Sequence, residues 1–385
     1  MDTIETIMKA PVLGLRDGNY YFEDGSIVIR VEHILFKIHR SLLASHSELF
    51  EGMFQIPVPQ DSKESDSPTE VDGATDKSPV VIPDIKVTQF RNLLLYIYGT
   101  TSNTEYRALV QDTIDESACT PTLFRRYLDI ASLAQRFCMA VIESWALKQL
   151  KKLLRFSKKL SGLPWSNSDI FDSLAYSSLT FDQEFQHDLH NLICCSVYNC
   201  YLPCLDPSRK RSGRSLSTRL GQLYNHPTLK QQDPALFGFV FCMVLSAGYQ
   251  SSIWQSMTRD ERAKLYAAQT QLTPLPSTLP IGWVQNPSEL SSSIPNESRP
   301  NCFSSCSQNF VQKVNQIIKR GDFVEELPLR GITAMCKLPT YRQQLAESPK
   351  PSNECVCALK MLEKIDLKLD ALFTELAEIH YNCLD

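Results

Sequence analysis

The sequence has little net charge and no apolar run of membrane-spanning length, and each shortage excludes a class of protein. Its 385 residues include 39 Lys and Arg against 43 Asp and Glu, a formal net charge of -4. General nucleic-acid binding would need a basic domain, so we do not expect nucleic acid to be bound directly. The longest apolar run, residues 235–248, is shorter than the roughly 20 residues that cross a bilayer, and it predicts a buried helix and no membrane partner.

Regular cysteine spacing and a secretory signal are also missing. The 13 cysteines are scattered without even spacing, and residues 1–11 lack a basic region followed by an apolar one. We therefore expect a reducing compartment, the cytoplasm or the nucleus. A basic segment resembles a nuclear-import signal, although a flexible basic loop needs no such role. Its residues are Arg209, Lys210, Arg211 and Arg214.

Signatures of catalysis are missing as well. The chain has no Gly-rich phosphate loop and no HExxH motif, and Ser217 stands where a nucleophile elbow beginning at Gly213 would need a second Gly. His39, at a predicted strand end, is expected to be hydrogen-bonded inside the fold. We predict no catalytic residues, no cofactor and no enzymatic activity. The alternative is a zinc-dependent or hydrolytic enzyme in the C-terminal half.

Two groups of residues have spacing that permits a metal site without being diagnostic of one. His187, His190 and Cys194 would share one helical face, and Cys200 or Cys204 could complete four ligands. Neither group has the paired CxxC of a zinc motif, and cysteine is among the most buried residue types, so no metal is predicted. The second group is Cys302, Cys306, Cys355 and Cys357.

The most informative stretch is residues 26–54, SIVIRVEHILFKIHRSLLASHSELFEGMF. Apolar residues alternate over 27–31 and again over 34–38, which predicts two half-buried strands joined by a tight turn at Glu32 and His33. From Arg40 the apolar residues recur at helical spacing. Ser45 with Glu48 has the form of a capping box and predicts a second short helix.

This stretch resembles the BTB/POZ family, in particular its fungal branch. The family pattern has an aromatic residue and His at the end of the second strand, then Arg, Leu-Ala, Ser, and an aromatic residue before Met-Phe. Where many members carry a buried Asp at the start of the first strand, this chain has Ser26, with Asp24 two residues earlier. The matching residues are Phe36, His39, Arg40, Leu43, Ala44, Ser45, Phe50, Met53 and Phe54.

The resemblance implies a function as well as a fold. It implies a protein-interaction scaffold or adaptor that forms homodimers and recruits protein partners. Two outputs are usual in the family: adaptor for a cullin-type ubiquitin ligase, and transcriptional regulator. In repressor-type members the buried Asp and the Arg after the strand-end His form a charged pocket, and here only Arg40 is present. The generic adaptor is therefore preferred.

The rest of the N-terminal region fits an α+β domain over residues 18–156. Residues 80–82 predict a third strand, a helix capped by Thr88 should end at Gly99, and helices should follow over 121–137 and 141–156. Residues 1–17 are expected to form an arm that either packs on a neighbour or is loose. Residues 55–78, acidic and nearly free of apolar groups, predict a disordered insertion, and 100–120 a polar connection.

The C-terminal region, residues 157–385, is predicted to be mostly α-helical. Residues 356–383 keep apolar residues at alternating spacings of four and three, which is typical of a coiled-coil seam. A long amphipathic helix packed on its own domain is the alternative. Other helices are predicted over 182–201, 234–248, 258–271 and 307–320, with connections at 163–165, 203–219, 274–300 and 339–352.

Overall fold

The computed structural model describes most of the chain and divides it into two compact units. The described residues are 14–56, 72–111, 119–205, 213–292, 302–324, 329–347 and 357–383. Unit 1 is Met1–Leu153 and unit 2 is Leu154–Asp385. Unit 1 combines a small sheet with helices, whereas the described part of unit 2 is helical. The α+β fold class followed by a helical region is confirmed.

Unit 1 contains a mixed four-stranded sheet in the order β1-β3-β2-β4. The central strands β2 and β3 are antiparallel, with Ile29 opposite Phe36. Strand β1 pairs in parallel with β3, and β4 pairs in parallel with β2. The strands are β1 Leu15–Tyr21, β2 Ile27–Val31, β3 Ile34–Ile38 and β4 Val80–Ile82.

The central hairpin is buried more completely than its alternating sequence predicts. Val28 and Leu35, on the face expected to be open, are 2% and 1% exposed. The backbone N–H of Val28 also donates to the carbonyl of Gly73 at 2.8 Å. The half-buried prediction is therefore wrong for these two side chains.

Strand β1 was not predicted, because its sequence has almost no apolar pattern. Its one buried side chain is Asp17, whose carboxylate accepts from the backbone N–H groups of Asn19 and Tyr20 and pairs with Arg91 at 2.7 Å. The sheet pairing and this buried ion pair hold the strand. Hydrophobic periodicity gives no signal for either.

The described residues of unit 1 also form six helices, which complete the unit around the sheet. Helix α5 begins as predicted, with the hydroxyl of Thr120 accepting from the N–H of Leu123 and with Pro121 as its first residue. Helix α3 ends before Gly99 as predicted but begins one residue before the expected cap, Thr88. The helices are α1 Arg40–His46, α2 Glu48–Gln55, α3 Val87–Tyr98, α4 Thr104–Val110, α5 Pro121–Arg136 and α6 Ala140–Leu154.

The cap of α2 is Ser47, and the predicted capping box at Ser45 and Glu48 is wrong. The hydroxyl of Ser47 accepts from the N–H of Phe50 and donates to the carbonyl of Phe137. Ser45 lies inside α1, where its hydroxyl donates to the carbonyl of Leu42. Ser47 is the better cap because its backbone is extended, as a helix N-cap requires.

The two polar stretches of unit 1 contain structure that their composition did not indicate. Residues 57–71 of the predicted insertion lie outside the described residues. Gln55 and Ile56 belong to the end of α2, and 72–78 forms turns in which Asp76 pairs with Arg16 at 2.7 Å and accepts from the hydroxyl of Tyr21. In the second stretch, helix α4 begins where Asn103 accepts from the N–H of Glu105.

Unit 2 is built from short and long helices, several of which lie within predicted connections. Helix α14 begins with a capping box between Thr258 and Glu261. No helix among the described residues combines the length and apolarity needed to span a membrane. The helices are α7 Ser157–Ser161, α8 Asn167–Leu179, α9 Gln183–Leu205, α10 Gly213–Tyr224, α11 Leu229–Gln232, α12 Pro234–Ala247, α13 Ser252–Gln255, α14 Arg259–Gln271, α15 Gly282–Gln285, α16 Ser288–Ser292, α17 Phe303–Ile317, α18 Gly321–Val324, α19 Arg330–Cys336, α20 Leu338–Glu347 and α21 Cys357–Asn382.

Helix α12 is the centre of unit 2. Every residue from Ala235 to Ser246 is buried, so the helix has no polar face. Helix α21 packs along it, and the apolar seam of α21 is buried in this contact and against other helices of unit 2. The terminal helix α21 thus packs on helices of its own unit, as the second of the two hypotheses expects. The coiled-coil alternative would leave α12 without this cover.

The approach of α21 to α12 depends on Gly238. A methyl group there would overlap the carbonyl oxygen of Phe373 in α21. We expect Gly238→Ala to lower the free energy of unfolding by about 1 to 3 kcal/mol, as overpacking does in a dense core. Gly221→Ala in α10 is the control, since no atom lies within 4 Å of the added methyl, and it should stabilise by up to about 1 kcal/mol through helix propensity. Equal denaturation midpoints for the two variants would contradict the close contact.

Candidate functional site

His39 stands at the junction between the sheet and helix α1, where unit 1 brings three elements together. Its backbone N–H donates to the hydroxyl of Tyr98 at 2.8 Å, and its Nδ1 lies 3.0 Å from the same oxygen. Its Nε2 lies 3.3 Å from a carboxylate oxygen of Asp24. A hydrogen bond from His39 lowers the pKa of Asp24. Both ring nitrogens therefore have partners within unit 1, of which Asp24 lies at the surface.

Ser26 occupies the position where many BTB/POZ members carry a buried Asp. Its hydroxyl accepts from the backbone N–H of Arg40 at 2.9 Å. The guanidinium of Arg40 lies over the ring of Phe54, 5.4 Å from the centroid, and its Nε is buried without an acceptor among the described residues. Ser26 thus binds the backbone of Arg40 and supplies no charge to its side chain.

The apolar residues of the motif divide into a buried set and a half-buried set. Phe36, Leu43 and Phe50 are at most 3% exposed, and Phe50 stacks on Phe54 with ring centroids 5.9 Å apart. Phe54, Met53 and Ala44 are half-buried, and Ser45 is exposed. The motif therefore joins the core to the surface along α2.

One face of α2 exposes apolar side chains, and we call it the α2 stripe. It consists of Leu49 and Met53, which are four residues apart on one side of the helix, and of Ile56, the residue with an extended backbone that follows the helix. Leu49 is 49% exposed and Ile56 is 69% exposed. Glu48 and Glu51 on the same helix are exposed as well. An apolar stripe beside charged residues is typical of a surface that a partner covers.

Unit 2 contains a group of partly buried charges, here called the ionic cluster. Arg342 is 7% exposed and forms a bidentate pair with Asp366, with N–O distances of 2.7 and 2.8 Å. It also lies 2.7 Å from Asp188. Bidentate geometry is the strong form of this interaction, and a buried charge is costly without it. The cluster consists of His187, Asp188, His190, Asp233, Arg342, Asp366 and Asp370.

The predicted metal candidates His187, His190 and Cys194 line one small pocket together with carboxylates of the cluster. The imidazole of His190 lies 3.5 Å from Asp233 and 3.7 Å from Asp370. Burial opposes the charged form of His190, but the attraction of these carboxylates prevails and raises its pKa to about 9. Both imidazoles thus face acidic partners.

The third candidate, Cys194, is 1% exposed. Burial raises the pKa of its thiol well above the ordinary range. The side chains of Cys200 and Cys204 lie outside the described residues, as do those of the basic segment 209–214.

Sequence reasoning missed the ionic cluster because its partners lie far apart in the chain. Asp366 follows a residue of the predicted apolar seam of α21, and a charged residue at that position is a weak indication of a buried ion pair. Arg342 lies in α20, within a stretch predicted to be a connection. No local pattern relates these two residues, and only the fold brings them together.

Two histidines give unit 2 opposite responses to pH. In the folded protein the pKa of His190 is about 9, against about 6.5 in the unfolded chain. The contribution of its proton to the free energy of unfolding is therefore complete below pH 6.5 and is lost as pH rises through 9. Burial, and then Lys230 and Lys264, lowers the pKa of His380 to about 4, so its contribution is lost as pH falls from 6.5 towards 4.

We expect the free energy of unfolding to decline on both sides of pH 6.5, with each proton contributing at most about 1.4 kcal/mol per pH unit. His190→Gln should flatten the alkaline decline and leave the acidic one. Urea titrations across this range would measure both slopes. An alkaline decline that is unchanged in His190→Gln would contradict the assignment.

Phe50 and Leu49 give a matched pair for the core of unit 1. Phe50 is 3% exposed, between Phe54 and Phe137, whereas its neighbour Leu49 is 49% exposed. Phe50→Ala should cost about 3 to 5 kcal/mol of stability. Leu49→Ala should change it by less than about 0.5 kcal/mol. Equal shifts in the chemical-denaturation midpoint would show that α2 does not pack in this way.

Comparison with known proteins agrees with the geometry of unit 1. The family model of the BTB/POZ domain matches residues 22–120. No curated protein and no solved structure gave a significant match to the chain. The matched span contains the central hairpin, α1, α2, β4, α3 and α4. Residues 22–120 are therefore a BTB/POZ domain.

Proposed function

We propose that the protein is an adaptor that self-associates through its BTB/POZ domain and recruits other proteins. The domain itself supports a protein-interaction role. The observation that carries the proposal further is the α2 stripe, which lies within the matched span and exposes Leu49 and Ile56. We propose the cytoplasm or the nucleus as its location, since reducing conditions would keep the scattered cysteines as thiols.

The α2 stripe is suited to pairing with a second copy. It adjoins a rigid aromatic core, because Phe50 and Phe54 lie on the neighbouring face of the same helix. A surface fixed in this way loses little conformational entropy when it is covered. Two-fold pairing is also the commonest closed assembly of identical chains. The resemblance points to the same region, since family dimers form through the segment that contains α1 and α2.

The arrangement around Arg40 favours a general adaptor over the repressor type of regulator. Repressor-type members combine this Arg with a buried Asp, and here the hydroxyl of Ser26 binds the backbone of Arg40 instead. The charged pocket of that type would therefore lack its acidic partner. A cullin-type ubiquitin ligase is the partner class that the family implies for an adaptor.

A protein-interaction module agrees with a role without catalysis, and we propose that the protein acts through binding. Among the described residues, the imidazole of His39 is held by Tyr98 and Asp24. The thiols of Cys194 and Cys195 are buried, and burial raises their pKa values. Activated nucleophiles have the opposite environment.

The proposal is tested by changing the α2 stripe in the full-length protein. Leu49→Glu combined with Ile56→Glu should convert a dimer into a monomer, as measured by light scattering at micromolar concentration, because the charges would have to be buried on pairing. Val141→Glu is the control, since Val141 is 80% exposed in the same unit but lies on α6. A wild-type monomer, or a dimer that survives the double change, would contradict the proposed interface.

A further inference from the structure

Three cysteine thiols converge at the starts of two helices in unit 2. Cys302 immediately precedes α17, Cys306 lies one turn inside it, and Cys357 is the first residue of α21. Their sulfur atoms all lie within 4.8 Å of one another. The sulfurs of Cys302 and Cys357 are 3.7 Å apart, well beyond the roughly 2.05 Å of a disulfide bond. Fifty-five residues separate these two cysteines in the chain.

The helices place Cys302 and Cys357 at their N-termini. The N-terminus of a helix carries partial positive charge from its unpaired N–H groups, and nearby anions are stabilised by it. Helix α17 has 15 residues and α21 has 26, so both carry a full macrodipole. Two such ends meet at one group of sulfurs. Thiolates are the form in which cysteine binds metals.

The ligand set also selects the kind of metal. Thiolates are soft donors and prefer zinc or copper(I) to magnesium or calcium. Zn²⁺ does not change its oxidation state in proteins. It accepts three protein ligands with a fourth position for water. Cys302 is exposed and Cys357 is buried, so the group has one side open to solvent. A water molecule could reach a metal from that side.

We propose that Cys302, Cys306 and Cys357 form a Zn²⁺ site with three thiolate ligands and a fourth position open to solvent. Binding replaces the protons of the thiols, which are released to water, so the affinity rises with pH. The ion fastens the start of α17 to the start of α21. Because α21 covers the central helix α12, zinc binding stabilises the helical unit as a whole.

This site differs from the other predicted group. In the pocket of His187, His190 and Cys194, the imidazoles already face carboxylates. Among the described residues, the three thiols at the helix starts have their potential ligand atoms close enough together to hold one metal ion. Cys355, which was grouped with them by spacing, lies outside the described residues.

The test uses reduced full-length protein and zinc chloride alone as the probe. Competition with a chromophoric chelator should show one tightly bound Zn²⁺ per chain, and Co²⁺ in its place should give the charge-transfer absorption of thiolate ligands. Cys302→Ser should weaken binding by at least about a hundredfold, the upper range for loss of even an outer-shell partner. This variant should fold, because Cys302 is exposed, makes no cap bond, and serine is favoured at helix starts.

Two further variants make the result decisive. Cys306→Ser should show the same loss of zinc and of thiolate absorption. Cys138→Ser, which removes an exposed cysteine of unit 1, should bind zinc like the wild type. Absence of tight zinc binding by the reduced wild type would overturn the proposal. Zinc binding retained in the double variant Cys302→Ser, Cys306→Ser would also overturn it, because the metal would then be held elsewhere.

Discussion

A chain segment without an exposed face must be covered on every side, and each unit of this protein is built around one such segment. In unit 1 it is the hairpin of β2 and β3, where even Val28 and Leu35 are buried. In unit 2 it is α12, buried from Ala235 to Ser246. Burial of apolar surface is the main favourable contribution to folding. The neighbouring strands and helices can therefore be understood as the cover that these segments need.

The cover has different consequences in the two units. Around the hairpin it is nearly complete, and the apolar surface that remains exposed on α2 is the stripe of Leu49, Met53 and Ile56. Around α12 the cover includes charged helices, so carboxylates and histidines are drawn into partly buried positions near its start, where Asp233 caps the helix. Buried charges are tolerated there because they are paired, as Arg342 with Asp366 shows.

Elements whose own residues carry the signal were predictable from the sequence. The alternation over 27–38 predicted β2 and β3, and the helix predicted over 121–137 matches the start of α5. The seam of α21 was visible too, but its spacing alone left open whether a second chain or the same chain covers it. In the structure the seam packs against α12 of the same chain, a helix that is apolar on all sides.

Elements held by distant partners were not predictable. Strand β1 has one buried side chain, Asp17, and depends on Arg91 and on pairing with β3. The turn at 72–78 is polar and depends on Arg16 and Tyr21. The ionic cluster joins residues of α9, α20 and α21. The interactions that fix these parts act between segments far apart in sequence, where local periodicity carries no information.

The central claim is that the BTB/POZ domain binds proteins through the α2 stripe. Amide hydrogen exchange of the full-length protein, measured at high and at low protein concentration, tests it most directly. Our account predicts that Glu48–Gln55 becomes more protected at high concentration, while Ala140–Leu154 exchanges equally at both. Exchange in α2 that is independent of concentration, or added protection confined to other helices, would contradict it.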